Sequence, residues 1–399
     1  MSQGHTQLSV LLPHQQARLS ERRAAGLMRQ RVARSGAQDV EMLVGSQRYI
    51  NFCSNDYLGL AGHPLVREAF AVAALRYGLG SGASHMVTGH CEAHQMLEEE
   101  LAQFMGRDRA ILFSTGYMAN TGIINALADT DGLVLQDALN HASLLDGGWL
   151  SKADSLRFPH GDVKALESML AGNTASHHII VTDGVFSMDG DIAPLPELVA
   201  IARRYGALLM VDDAHGIGCI GPNGRGSIEA FDSPLNQCDV PVLIGTLGKA
   251  FGSAGAFVAG SDEMIEYLLQ FTRSYTYSTA LPPAVAEATS VSLRLLAEET
   301  WRREWLQELI RRFRARATEL GLPLGESQTP IQVIVLGDVA RTMQASADLA
   351  AQGLYVSGIR PPTVPAGTAR LRITLCATHT DEHLERLLTA LEKLVCDAP

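Results

Sequence analysis

Between residues 109 and 259, short apolar runs alternate with helix-patterned stretches. AILFS, LVLQD, HHIIVTD, ALLMVDD, VPVLIG and GAFVAG read as strands, and several are apolar on both faces. Strands of that kind, separated by helices, predict an α/β fold with a mostly parallel central sheet covered on both sides. After Leu281-Pro-Pro, helical patterning continues to about Leu320 and stops at GLPLG. Strand-like IQVIVLG, a helix, strand-like LRITLCA and a last helix from about Asp381 follow, which predicts a smaller α+β unit. The expected organisation is an N-terminal segment (1–50), a large α/β domain (51–290) and a small C-terminal α+β domain (291–399). Arginines and good helix formers over residues 14–34 predict a basic amphipathic helix in the first segment.

Bulk properties narrow the function classes. With 399 residues and 46% hydrophobic composition, the chain can bury a large core. The net charge of −11 argues against general binding to nucleic acid or an anionic membrane, so any anion must be held by local groups. No apolar run is long enough to span a bilayer, and the apolar patch in MSQGHTQLSVLLPHQQARLSERR is too short for an export signal, so a cytoplasmic protein is expected. Six cysteines without a C-x-x-C pair read most simply as buried apolar residues.

The chemistry concentrates around LIGTLGKAFG (243–252), where Lys249 follows an apolar run. A phosphate-binding P-loop fails on spacing, and Ala250 offers no hydroxyl to a magnesium ion. A lysine stripped of its proton by desolvation can instead form a Schiff base, and the flanking glycines would let a planar cofactor approach the backbone. ALLMVDDAHGIG brings Asp212, Asp213 and His215 to a strand end, where ligands collect in open parallel sheets. Because strand side chains alternate, one aspartate alone should face the site, placed to keep a pyridinium nitrogen protonated. FSTGYMAN leads from a strand into a helix whose first amides would favour a phosphate monoester. His141 in ALNHASLLDG could stack on a flat ring or cap a helix. GLGSGASH (78–85) resembles a dinucleotide loop but follows a helical segment, so nicotinamide binding is not expected. His90 and His94 stand four apart on a predicted helix beside Cys91, but H-E-x-x-H and nearby partner ligands are absent, so no metal is expected.

Taken together, NFCSNDYLGL (51–60), FSTGYMAN (113–120), LNHASLL (139–145), VTDGVFSMDGD (181–191), VDDAHGIG (211–218), GTLGKAFG (245–252), YSTALPP (277–283) and IRPPTVPAGTARLRIT (359–374) resemble the α-oxoamine synthases, a branch of the fold-type-I pyridoxal-phosphate enzymes. The last stretch points to the branch that serves biotin biosynthesis. The resemblance implies a PLP-dependent acyltransferase that condenses L-alanine with pimeloyl-CoA or pimeloyl-acyl-carrier protein, losing CO2. Another α-oxoamine synthase, such as glycine C-acetyltransferase, is the alternative. Lys249 would hold pyridoxal 5'-phosphate, Asp212 pair with its ring nitrogen, His215 bond its phenolic oxygen and His141 stack on the ring. Gly116, Tyr117, Ser187 and Thr246 would complete the cofactor contacts. Arg372 would grip the amino-acid carboxylate, while Asn55, Arg29 and Thr363 are further expected substrate contacts. The family is homodimeric, and Thr279 would reach the partner's phosphate. Asp183, where the family usually has glutamate, and His85 and His90, where a smaller or arginine residue and an aromatic one are expected, depart from the pattern.

Overall fold

The structure, a computed structural model, describes residues 10–396. The first nine residues, the start of the stretch read for an export signal, lie outside them, as does the side chain of Cys396. At the centre is a seven-stranded sheet in the order Arg109–Phe113, Ala256–Gly260, Val242–Thr246, Leu208–Asp212, His177–Asp183, Gly132–Asp137, Asp154–Phe158. Five neighbouring strands, from Val242–Thr246 to Asp154–Phe158, are parallel, and in all but the last the apolar side chains are mostly buried against helices on both faces.

GAFVAG departs from the parallel expectation. Ala256–Gly260 runs antiparallel to both of its neighbours. It is joined to Val242–Thr246 through residues 247–255 alone, shorter than the dozen or so residues a parallel crossover needs. The reversal turns the segment carrying Lys249 into a hairpin loop at the C-terminal edge of the sheet. Leu247 N donates to Gly255 O and Ser253 N to Leu247 O, which brace that loop.

Three further differences have local causes. Asp154–Phe158 forms an edge strand although DSLRF lacks an apolar run, because only one side of it has a partner. The helical stretch before Leu320 is two helices, Pro283–Glu298, which buries small Ala and Ser residues and then Leu293, Leu295 and Leu296, and Trp301–Glu319, which buries Leu306, Leu309, Ile310 and Phe313. The basic N-terminal helix covers only Pro13–Ala24 and buries no side chain, so Arg29 and Arg31 lie beyond it.

Two small sheets complete the fold. Ile331–Gly337, Ala369–Thr374 and Ser357–Ile359 form an antiparallel sheet with Ala369–Thr374 in the middle, which buries Arg372. Glu41–Val44 pairs with Gln47–Asn51, which in turn pairs in parallel with Leu354–Tyr355 near the other end of the chain. Among the described cysteines, Cys219 and Cys376 are buried, Cys53 and Cys91 half-buried, and Cys238 exposed, so the uniformly buried expectation fails at Cys238.

Two glycines near Lys249 serve packing inside the protein. Gly252 has φ +62°, and a Cβ there would stand 2.2 Å from Ala61 N; at Gly245 a Cβ would stand 2.4 Å from the Phe257 ring. At these two positions the missing side chain admits neighbouring protein, whereas a Cβ at Gly248 would meet nothing nearer than 3.7 Å. Gly252→Ala therefore combines left-handed strain with a backbone clash, and we expect it to lower unfolding free energy by about 2–4 kcal/mol in denaturant titrations. A loss under ~0.5 kcal/mol would contradict this packing.

Candidate active site

Lys249 is one of four lysines in the chain. Its side chain enters a cavity of about 200 Å3 lined also by Asp212, His215, His141, Asp183 and Asn120. Among the described residues its amine has neither a hydrogen-bond nor an ion-pair partner. Burial and the nearby Arg372 guanidinium oppose its charge while Asp212 and Asp183 favour it, and burial dominates, bringing the ammonium down to about 8. A fraction of the amine is therefore neutral near neutral pH.

Opposite this amine, Asp212 is held from two sides. Asn120 Nδ2 donates to its Oδ2 at 2.6 Å and Ala214 N to its Oδ1 at 3.0 Å. Asp213 faces away, accepting from Ser227 N at 2.6 Å, and burial pushes its carboxyl up to about 8. One aspartate alone faces the cavity, as strand alternation requires. Asp183 lies beside Asp212 and accepts from His141 N at 2.7 Å. Burial first, then Asp212, drives the Asp183 carboxyl well above its ordinary range. Of the two neighbouring carboxyls, Asp183 is thus pushed toward its neutral form.

His215 is buried with Nδ1 2.6 Å from the Tyr57 hydroxyl. Burial, Lys249 and Arg372 press its imidazole well below the usual range, toward the neutral ring. Tyr57 was not foreseen as a partner; its only sequence signal is its place in NFCSNDYLGL. His141 begins the helix Ala142–Leu150, where its Nδ1 lies 2.7 Å from Ser143 Oγ and accepts from Ser143 N. It therefore caps the helix and lines the cavity at once, and burial and Lys249 lower its basicity.

The remaining expected residues fall into three groups. Gly116, Tyr117, Ser187 and Thr246 line the cavity. Gly116 and Tyr117 open the helix Gly116–Leu127, so their amides fall outside its i→i−4 ladder, whereas Met118 N is capped by Thr115 Oγ1. The Tyr117 hydroxyl donates to Asp146. Arg372 donates through Nε to Ser187 O at 2.7 Å, through one terminal nitrogen to Thr374 Oγ1 at 3.0 Å and through the other to Asn55 Oδ1 at 3.4 Å. The buried Tyr57 side chain is a further hydrogen-bonding neighbour of this guanidinium. Arg29 donates to Thr363 Oγ1 at 3.2 Å across a sequence separation of 334, both side chains being exposed. Thr279 is exposed outside this cavity, its carbonyl accepting from Ser114 Oγ at 3.1 Å.

The histidines of the 85–94 segment are arranged otherwise than the sequence suggests. His90 precedes the helix Glu92–Met105, so it does not share a helical face with His94. A wide helical turn over His85–Gly89 brings His85 beside both.

A desolvated lysine facing an oriented aspartate, with a neutral histidine and an amide-rich helix start on the same rim, suits a pyridine aldehyde phosphate. The chain belongs to the aminotransferase class I and II family, whose model matches residues 47–391. Its fold is the fold-type-I arrangement expected from the sequence: a serine palmitoyltransferase from Sphingomonas wittichii superposes with a TM-score of 0.91 at 34% identity, covering 97% of this chain and 98% of that one. Among curated relatives, the 8-amino-7-oxononanoate synthase of Methylococcus capsulatus is 57% identical over 94% of this chain and 97% of its own length. The relative of the same name from Saccharophagus degradans is 55% identical over 95% and 96%. A solved 8-amino-7-oxononanoate synthase from Francisella tularensis shares 32% identity at a TM-score of 0.77, covering 87% of this chain and 98% of that one. Among the described residues, no helix is long and apolar enough to cross a membrane.

The depressed basicity of Lys249 has a direct readout. In cofactor-free protein an amine-acylating reagent should label Lys249 with a midpoint near pH 8, labelling rising as pH rises through that value. An unperturbed lysine would reach its midpoint near ~10.4. A midpoint at that ordinary value would contradict the desolvated site.

Proposed function

We propose that the chain catalyses the decarboxylative condensation of L-alanine with a pimeloyl thioester, giving 8-amino-7-oxononanoate, CO2 and free thiol, with pyridoxal 5'-phosphate as cofactor. The observation that carries the chemistry is the single cavity in which an unpaired, readily neutralised Lys249 faces an Asp212 locked by Asn120 and Ala214. Relatives named 8-amino-7-oxononanoate synthase, at 57% identity over nearly the whole chain, support the choice of substrates.

Lys249 would hold the cofactor covalently and, once freed, take and return the proton at the substrate Cα, work suited to an amine titrating near 8. When bound, pyridoxal phosphate supplies the electron sink for charge developing on that carbon. Asp212 would keep the ring nitrogen protonated, and the bonds from Asn120 and Ala214 fix its carboxylate so that it need not reorganise. His215, tied through Nδ1 to Tyr57, would offer its other nitrogen to the phenolic oxygen. His141 would cover the ring face. Gly116 and Tyr117 amides, with Ser187 and Thr246, would hold the phosphate end, and the Arg372 guanidinium would meet the alanine carboxylate. Asn55 positions that guanidinium, while Arg29 and Thr363, already in contact, would meet the acyl donor.

We take the working enzyme to be a cytoplasmic homodimer in which Thr279, exposed in the single chain, approaches the partner's phosphate. The free described cysteines fit a reducing compartment. We further take the acyl group to arrive either on coenzyme A or on acyl carrier protein.

Incubating holoenzyme with alanine, glycine or serine against pimeloyl, acetyl and palmitoyl thioesters separates this reading from other α-oxoamine synthases. We expect alanine with the pimeloyl donor to give 8-amino-7-oxononanoate at the highest kcat/KM. Lys249→Ala should lose more than the ~10²–10⁴-fold typical of one acid–base group, because it removes anchor and base together. Preferred turnover of glycine with acetyl-CoA, or a Lys249→Ala enzyme of near-native rate, would overturn the proposal.

A further inference from the structure

His85, His90 and His94 take no part in the cavity described above, yet one nitrogen from each lies within 4.8 Å of the others. Their ring centroids are 5.2, 5.0 and 5.5 Å apart in pairs. His94 is fully buried, and the other two are half-buried.

The hydrogen bonds decide which nitrogens carry protons. His94 Nε2 donates to the Leu281 carbonyl at 2.5 Å, and His90 Nε2 donates to Gln95 Oε1 at 3.3 Å. With the outer nitrogens protonated, Nδ1 of each neutral ring is a lone pair turned inward. His90 Nδ1 faces His85 Nδ1 at 2.9 Å, so that contact closes only if His85 carries its proton on Nδ1. The cost is then a bare His85 Nε2, a buried atom with no partner. His94 Nδ1 accepts from Cys91 N at 3.1 Å, a bond that an ion at this nitrogen would replace, and lies 3.3 Å from Cys91 Sγ, which brings a soft donor to the same place.

We propose that His85, His90 and His94 form a binding site for a divalent transition metal of the zinc type, with the Cys91 thiol in reach as a fourth donor. Neutral imidazoles are the ligands such an ion takes, and ligating histidines commonly donate their outer N–H to a carbonyl, as His90 and His94 already do. Zn–N bonds of ~2.05 Å put tetrahedral ligand nitrogens about 3.3 Å apart. The present separations, from 2.9 Å to at most 4.8 Å, bracket that value. Small rotations of His85 and His90 supply the difference. The ion would fasten the wide turn over His85–Gly89 to the Leu281 carbonyl, and through the His85 ring stacked 4.9 Å from Tyr275 to the segment that carries Thr279. Its role is to hold that segment in place.

The test is titration of untagged, chelator-treated holoenzyme with Co2+. We expect one Co2+ per chain with the strong visible absorption of a tetrahedral centre, and a thermal midpoint raised by Zn2+. His85→Ser and His90→Phe should each weaken binding by ~100-fold or more, the upper end of what even an outer-shell partner contributes. Both should retain wild-type cofactor absorbance and turnover in chelator, since neither lines the catalytic cavity. Substoichiometric or non-saturating Co2+ uptake by the wild-type chain would overturn the proposal, and so would unchanged affinity in both variants. Should a variant fail to fold, the wild-type stoichiometry decides alone.

Discussion

The site depends on an amine placed where water cannot solvate its charge. Lys249 emerges from a hairpin loop into a small cavity, and burial outweighs the attraction of two carboxyls in setting its basicity. The same dryness neutralises His215 and drives Asp183 toward its protonated form. Asp212 is the carboxyl the structure equips to stay engaged, because Asn120 and Ala214 donate to it from separate elements. One constraint, a desolvated pocket at the sheet's C-terminal edge, thus sets proton positions for Lys249, His215 and Asp183 at once.

That pocket follows from the order of the strands. Leu208–Asp212 lies between His177–Asp183 and Val242–Thr246, so three consecutive C-terminal ends deliver Asp183, Asp212 and the Lys249 loop side by side. The antiparallel Ala256–Gly260 folds the loop back, and Gly252 lets it lie against Leu60 and Ala61, next to the segment that supplies Asn55 and Tyr57. The central strand Ala369–Thr374 of a separate small sheet then carries Arg372 to Ser187 and Asn55. Cofactor chemistry and carboxylate recognition thus come from different sheets that meet at one place.

Much of this was legible in the sequence, and the limits are physical. Buried parallel strands announce themselves as apolar runs, so four of the five and their C-terminal residues could be read directly. The alternation that turns Asp212 inward and Asp213 outward is a local rule, and it held. DSLRF could not be read because an edge strand needs no apolar run, and the direction of GAFVAG depends on loop length, a cue that was present but unused. The contacts of Tyr57 with His215 and of Arg29 with Thr363 span 158 and 334 residues, beyond any local pattern, and the second came within reach only through family resemblance. The spacing of the histidines was misread because His90 precedes the helix that carries His94, and a wide turn brings His85 beside both, which no helical period would show.

The most direct test of the account is where the cofactor becomes attached. Reducing the holoenzyme with borohydride, digesting it and mapping the phosphopyridoxyl mass should place the label on the peptide containing Lys249, with bleaching of the visible absorbance in proportion. Label on Lys152, Lys164 or Lys393 with Lys249 unmodified, or no stable label in cofactor-saturated protein, would contradict the central claim.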